Sequence, residues 1–176
     1  MDTAMSIASE ISTPLPEFMM RDNTCCFTGH RIIPAKVIPQ LKEELEQTVT
    51  ELIHRGVTQF VTGGALGFDT LAAEEVLCQR KTHPNIRLHL MMPCKGQEKK
   101  WRLGDRMRYQ RITRQADEVT CLAEEYYDGC MLKRNREMIN ISAHCVVYCT
   151  KPKGGTVYTA NRAEQAGLHM IYLMQR

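Results

Sequence analysis

Three glycine-bearing segments combine small residues with polar or charged side chains, which is the mixture that phosphate-binding loops use. They read Thr28-Gly29-His30-Arg31, Gly63-Gly64-Ala65-Leu66-Gly67-Phe68-Asp69 and Gly154-Gly155-Thr156-Val157-Tyr158-Thr159. Each segment follows a short apolar run and precedes a helical pattern. Glycine lets a ligand approach the backbone, and the first N–H groups of a helix attract an anion. The segments therefore predict binding of a nucleotide or a nucleotide-derived ligand.

The first two segments carry side chains with specific expected roles. Arg31 can pair with a phosphate in a bidentate fork, and His30 can donate to the ligand or to a backbone carbonyl. Asp69 can accept hydrogen bonds from ribose hydroxyls, but it can also cap the next helix, in which case the second segment is a plain tight turn. Neither the Walker A ending nor the G-x-G-x-x-G dinucleotide fingerprint is present.

The third segment repeats this design. Thr156 or Thr159 can cap the following helix or contact a phosphate, and Lys151 and Lys153 add positive charge just before it. The alternative is a flexible loop whose lysines are solvated.

A basic stretch lies between the second and third segments, from Lys95 to Arg114. It contains Lys95, Lys99, Lys100, Arg102, Arg106, Arg108, Arg111 and Arg114, with Trp101 and Tyr109 interleaved. This composition fits a nucleic-acid patch. A solvated helix face, or a lid over an anionic ligand, is favoured because charge runs usually lie at the surface.

Alternating apolar runs and amphipathic stretches must position these segments. We predict strands at residues 25–28, 59–62, 86–92, 118–122, 145–148 and 170–173, with helices between them. One helix should bury the face of Leu41, Leu45 and Val49, and another, at residues 130–143, should turn Met131, Met138 and Ile141 inward. The pattern predicts a three-layer Rossmann-like α/β fold, with a parallel sheet and helices on both faces. Ligands of such sheets bind beyond the carboxyl ends of the strands.

The bulk properties fit one domain at residues 23–176, preceded by a flexible N-terminal tail at residues 1–22, within a chain of 176 residues. The net charge of +3 fits an anionic small ligand without requiring nucleic acid. No apolar run spans a membrane, and the eight cysteines lack zinc or C-x-x-C spacing. We therefore expect a cytoplasmic protein with reduced thiols, no metal and no resident cofactor.

Taken together, the quoted segments resemble the SLOG superfamily, the Rossmann-like group that includes the LOG phosphoribohydrolases and the DprA-type DNA-processing proteins. The YpsA-type branch is the most similar. The resemblance covers residues 24–174 and also rests on Ala72-Ala73-Glu74, Pro93, Gln97-Glu98-Lys99-Lys100-Trp101, Arg134-Asn135 with Met138, and Thr159-Ala160. It implies a parallel α/β sheet and a pocket for a nucleotide or an ADP-ribose- or NAD-related molecule. It also implies a ligand sensor of bacterial or phage origin, with a homodimer possible.

The LOG enzymes cleave the N-glycosidic bond of nucleoside monophosphates, using an Arg on the helix before the penultimate strand and a Glu in a G-G-x-G-T-x-x-E loop. Arg134 stands at the matching Arg position and is the candidate catalytic residue. The loop after Gly154 lacks the second G-T and the Glu at that spacing, and Glu164 lies deeper in the helix. Because glycoside hydrolysis needs a carboxylate, Asp69 or Glu98 would have to substitute.

Three functions therefore stay open from the sequence: a nucleotide-binding sensor, a nucleotide N-glycosidase and a DprA-like DNA-binding module. The sensor is favoured. The predicted ligand-binding residues are Thr28, Gly29, His30, Arg31, Gly63, Gly64, Ala65, Gly67, Asp69, Pro93, Glu98, Trp101, Arg134, Asn135, Gly154, Gly155, Thr156 and Thr159.

Overall fold

The computed structural model describes residues 21–175, so the predicted tail lies outside the described residues apart from Arg21 and Asp22. A central sheet contains strands β1 to β6, at Thr24–Gly29, Gln59–Thr62, Arg87–Met92, Glu118–Cys121, His144–Tyr148 and His169–Tyr172. Five helices lie wholly within this range, α1 to α5, at Ile38–His54, Phe68–Gln79, Leu103–Gln115, Cys130–Asn140 and Gly155–Gln165. A 3₁₀ turn at Ala35–Val37 leads into α1.

The sheet is parallel throughout, in the order β4-β3-β2-β1-β5-β6. The chain builds outward from β1 to β4 and then returns to place β5 and β6 on the other side of β1. Cys26 of β1 accordingly pairs with Val61 of β2 on one side and with Cys145 of β5 on the other. The strand order reverses between β1 and β5, which creates a crevice at their carboxyl ends.

Alternate strand residues face opposite layers of helices, as the period of a strand requires. Phe27 and Phe60 point to one side, where their rings stack at 6.1 Å and pack in a cluster with residues of α1, α2 and α3. Cys26, Val61 and Val147 point to the other side, against α4 and α5. The predicted three-layer fold is confirmed.

Helix α1 shows why the periodic pattern works as a guide. Leu41, Leu45, Val49 and Leu52 recur at helical spacing, and all four side chains are buried against the sheet. Gly56 ends the helix with a φ of 94°, a left-handed conformation that glycine adopts without a Cβ penalty.

The prediction for α4 is wrong at its carboxyl end. The helix stops at Asn140 and not at Ala143, and Ile141 is 38% exposed while Ile139 is buried. The Ser142 hydroxyl donates to the Met138 carbonyl, which competes with helix continuation. The chain then turns into the sheet. The turn carries Ile141 outward.

Strands β1, β3, β4, β5 and β6 differ from the prediction by one residue at one end or at both ends. Ile86 belongs to the turn before β3, because its N–H donates to the His83 carbonyl. Strand β4 ends at Cys121 and not at Leu122. Pairing of β6 begins at His169, opposite His144, so that strand lies one residue earlier than expected.

Candidate functional site

A cleft of about 340 Å³ opens at the carboxyl edge of the sheet, next to the ends of β1 and β2. We call it the switch-point cleft, because it lies where the strand order reverses. The predicted binding residues that line it are Thr28, Gly29, His30, Arg31, Ala65, Asp69, Arg134, Asn135, Gly155 and Thr156. Four separate segments of the chain thus meet at one cleft, because parallel strands all end at the same edge of the sheet.

Arg134 is the most deeply buried charged residue of the cleft, with 4% of its surface exposed. Its Nη1 donates to the carbonyls of Gly63 and Met91, and its Nε donates to Asn135 Oδ1 at 2.7 Å. The side chain therefore joins α4 to the ends of β2 and β3. Burial lowers the pKa of Arg134, and the nearby carboxylate of Asp69 opposes that shift.

Asp69 lies in the first turn of α2 and is also buried. Its Oδ2 accepts the N–H of Ala65 at 3.2 Å, so the carboxylate folds back onto its own loop. The helix begins at Phe68, and Gly67, which has no side chain, takes the capping position, so the predicted capping role of Asp69 is wrong. Burial raises the pKa of Asp69, while the charge of Arg134 opposes the shift.

Two glycines of this loop, at positions 63 and 67, are explained by other parts of the chain that pack directly against them. A Cβ on Gly63 would overlap the Arg134 guanidinium. Gly67 has a φ of 76°, and a Cβ there would overlap the carbonyl groups of Arg31 and His30. The Phe68 N–H donates to the His30 carbonyl at 3.0 Å, which holds the first two glycine segments together.

His30 bridges the loops after β1 and β5. Its Nε2 accepts the Thr150 N–H at 2.8 Å, and its Nδ1 lies 3.5 Å from Thr156 Oγ1. The expected donation to a backbone carbonyl is thus wrong, since the ring accepts from a backbone N–H. Burial, followed by the charge of Lys151, lowers the pKa of His30. A neutral ring that accepts at Nε2 carries its hydrogen on Nδ1, facing the Thr156 hydroxyl.

Helix α5 begins at the cleft without a side-chain cap. Gly154 precedes it with a φ of 122°, and Gly155 and Thr156 form its first turn. The Thr159 hydroxyl donates to the Gly155 carbonyl at 2.9 Å and accepts from Asn135 Nδ2 at 2.8 Å. The predicted capping by Thr156 or Thr159 is therefore wrong, and no side chain within residues 21–175 caps the start of α5.

The remaining predicted residues lie near the cleft but do not line it. Gly63, Gly64 and Gly67 form the loop behind it, and Gly154 and Thr159 support α5. Pro93 follows β3, Glu98 lines a separate shallow groove beside Tyr109, and Trp101 lines a neighbouring cleft.

Three apolar residues of the wall were not identified from the sequence: Phe27, Met131 and Leu132. Met131 stands three and four positions before Arg134 and Asn135, which is the spacing of one helix face. Because Arg134 and Asn135 are both predicted site residues, their spacing from Met131 is the sequence signal that identifies Met131 as a neighbour of the site.

Part of the basic stretch has a structural partner. Arg108 makes a two-pronged contact with Glu74 of α2 through Nε and Nη2, and Arg111 reaches the same carboxylate at 3.3 Å. These two cations therefore fix α3 onto α2. Five other basic residues of the stretch are exposed and form no ion pair within residues 21–175: Lys99, Lys100, Arg102, Arg106 and Arg114.

Over residues 21–175, no helix is long and apolar enough to cross a membrane. The same part of the chain contains no group of three or more His, Cys, Asp or Glu side chains placed to hold a metal ion. Its eight cysteines are all unpaired, and five of them are buried.

Comparison with known proteins identifies relatives over most of the chain. The YpsA family model, described as the YspA SLOG family, matches residues 34–175. The SPbeta prophage-derived protein YoqJ of Bacillus subtilis is 33% identical over 147 residues, covering 76% of this chain and 86% of that protein. A UPF0398 protein of Halalkalibacterium halodurans is 36% identical over 92 residues, covering 52% of this chain and 49% of its own length.

Two solved structures share the fold. DNA processing protein A from Helicobacter pylori, described as binding single-stranded DNA, superposes with a TM-score of 0.62 at 22% identity. DNA processing protein A from Streptococcus pneumoniae gives a TM-score of 0.60 at 16% identity. The matches cover 87% and 89% of this chain but only 66% and 51% of those chains, so the two neighbours are considerably larger.

Proposed function

The chain belongs to the YspA SLOG family, and we propose that it binds a nucleotide or nucleotide-derived ligand in the switch-point cleft, as a sensor or regulatory protein. One observation carries the proposal. The cleft brings together two guanidinium groups, an uncapped helix start and a buried carboxylate at the point of the sheet where α/β proteins bind ligands.

The phosphate belongs at the start of α5. Gly155 and Thr156, the first residues of this helix, line the cleft, and the first N–H groups of a helix carry the partial positive charge of its dipole. Arg31 lines the same cleft, is exposed, and forms no ion pair among the described residues. It is therefore free to take a phosphate in a bidentate fork. The loop after β2 is less suited, because Asp69 already occupies the Ala65 N–H and adds negative charge.

The nucleoside lies deeper in the cleft. Asp69 and Asn135 offer acceptor and donor atoms for ribose hydroxyls, and Met131 and Leu132 offer an apolar wall for the base. Arg134 places this wall, because it holds α4 against β2 and β3. A sensor needs this arrangement only to bind, and no covalent step is required of it.

A thermal-shift panel tests the proposal: nucleoside monophosphates, cyclic nucleotides, NAD and ADP-ribose. A ligand at about 100 times its dissociation constant adds roughly 2.7 kcal/mol of stability. Arg31→Gln should abolish the shift, whereas Arg162→Gln, an exposed arginine of α5 outside the cleft, should keep it. A panel without any hit would remove the proposal.

A nucleotide N-glycosidase is the second candidate, and Asp69 is the observation that favours it. Of the described residues lining the cleft, Asp69 is the only carboxylate, and burial raises its pKa toward the range useful for proton transfer. Glu164 is exposed and Glu98 lies outside the cleft. Release of free base from a nucleoside monophosphate, lost in Asp69→Asn, would establish this activity. No release at high protein concentration would exclude it.

A further inference from the structure

A second cleft of about 530 Å³ adjoins the switch-point cleft, and Met131 of α4 lines both. It lies between the loop after β3, which contains Lys99, Lys100 and Trp101, and the loop after β4, which contains Glu125 and Tyr126. We call it the tryptophan cleft. Its position next to the proposed nucleotide site means that one ligand can extend from the first cleft into the second.

The aromatic wall of the tryptophan cleft is held in place. The Trp101 ring meets the Tyr109 ring edge-on, with the centroids 5.3 Å apart. Gln97 donates to the Tyr109 hydroxyl and to the Gly63 carbonyl, both at 3.2 Å, so this wall is tied to the loop behind the switch-point cleft. On the facing loop, Tyr126 is 64% exposed. Two aromatic side chains across a cleft suit a flat nucleobase, because every base has a face that can stack.

The charged residues of the tryptophan cleft suit a phosphate group that lies between the switch-point cleft and the tryptophan cleft. Lys95 pairs with Glu124 at the rim. Lys99 and Lys100 are exposed and form no ion pair in the described part of the chain. Glu125 is the only other charged group of the wall. Two unpaired cations and one carboxylate give this wall a net positive charge, which favours an anionic group such as a phosphate that links two parts of a ligand. The Glu125 carboxylate can accept a hydrogen bond from the amino group of a base.

We propose that the tryptophan cleft binds the second nucleoside of a ligand that consists of two nucleosides joined through phosphate. The first nucleotide lies in the switch-point cleft, so this inference rests on the proposed function. Lys99 and Lys100 contact the linker, and Trp101 and Tyr126 stack on the second base. A 5′–5′ pyrophosphate dinucleotide and a 3′–5′-linked dinucleotide both have this chemistry.

Calorimetric titration of the full chain tests the inference with three probes: AMP, NAD and a 3′–5′-linked diadenylate. We expect at least one dinucleotide to bind roughly tenfold or more tightly than AMP, the gain typical of one stacked base. Tyr126→Ala should reduce that affinity to the AMP level and leave AMP binding unchanged. Tyr158→Ala, an exposed tyrosine of α5 outside both clefts, is the matched control and should change neither.

The outcomes separate the two proposals. Tight binding of NAD alone identifies a pyrophosphate dinucleotide as the ligand, and tight binding of the diadenylate alone identifies a short nucleic-acid strand. AMP binding with no gain for either dinucleotide, or a gain that survives both Tyr126→Ala and Trp101→Ala, overturns this inference and leaves the proposed function intact. If none of the three probes binds, this inference fails, and the wider thermal-shift panel decides the proposed function separately.

Discussion

The guanidinium of Arg134 donates to the carbonyl of Gly63, 71 positions earlier in the chain, and so joins α4 to the loop after β2. This contact explains two features at once. A Cβ on Gly63 would overlap the guanidinium, so a larger residue there would displace Arg134 from this hydrogen bond. The switch-point cleft keeps its shape because its α4 wall is tied to the sheet by a buried, charge-assisted hydrogen bond.

Removing this guanidinium should destabilise the protein strongly. Arg134→Met keeps much of the apolar stem but removes the guanidinium donor from the carbonyls of Gly63 and Met91, although Gln97 still donates to Gly63. We expect a loss of about 3 kcal/mol in the free energy of unfolding, measured by urea denaturation. Arg136→Met, an exposed position on the same helix, is the control and should cost less than about 0.5 kcal/mol. Equal losses would contradict the structural role of Arg134.

Two left-handed glycines should differ in their tolerance of alanine. Gly67 and Gly56 have φ values of 76° and 94°, but only at Gly67 would a Cβ overlap neighbouring backbone. Gly56→Ala should cost about 1 kcal/mol from its φ alone, and Gly67→Ala should cost several times more. Chemical denaturation of both variants checks this. Similar costs would show that the loops of His30 and Asp69 are not in close contact.

The fold-back of Asp69 can be tested by comparing two substitutions. Asp69→Ala removes the acceptor of the Ala65 N–H and should lower the free energy of unfolding by about 1–2 kcal/mol. Asp69→Asn keeps a carbonyl oxygen at the same position and should lose clearly less. If alanine were tolerated better than asparagine, the hydrogen bond would not be what holds this loop.

Histidine burial predicts a fall in stability on acidification. Burial, followed by the neighbouring His169, lowers the pKa of His144 below its ordinary value of 6.5. The unfolded chain then binds the proton more readily, so the contribution of His144 is complete above that value and is lost as the pH falls through the folded-state pKa. Melting temperatures should therefore drop from about pH 7 to about pH 5. His144→Asn should show a smaller drop, and an unchanged slope would contradict this assignment.

Much of the fold could be predicted from the sequence, because the periodicity of Leu41, Leu45 and Val49 and the apolar strands are local signals. The joint position of Arg31, Asp69 and Gly155 at one edge also follows from parallel strands.

Long-range contacts could not be predicted. The segment that begins at Gly63 resembles a phosphate-binding loop. The small size of residue 63 is explained instead by Arg134, whose guanidinium packs against it from a distant part of the sequence. The sequence also predicts Asp69 and Thr159 as helix caps, yet the Asp69 carboxylate accepts the Ala65 N–H of its own loop, and the Thr159 hydroxyl accepts from Asn135 of another helix. The early end of α4 depends on the hydrogen bond from Ser142, which no periodic pattern shows.

The most direct test of nucleotide binding in the switch-point cleft is calorimetric titration of the Gly155→Val variant with the best ligand of the thermal-shift panel. A Cβ on Gly155 meets nothing within 4 Å, so valine should leave the fold intact while filling the proposed phosphate position. Gly104→Val, at a helical glycine with equally open surroundings, is the matched control. Phosphate binding at Gly155 predicts that Gly155→Val lowers affinity at least roughly tenfold, about 1.4 kcal/mol, and that Gly104→Val does not. Unchanged affinity in folded Gly155→Val would contradict it.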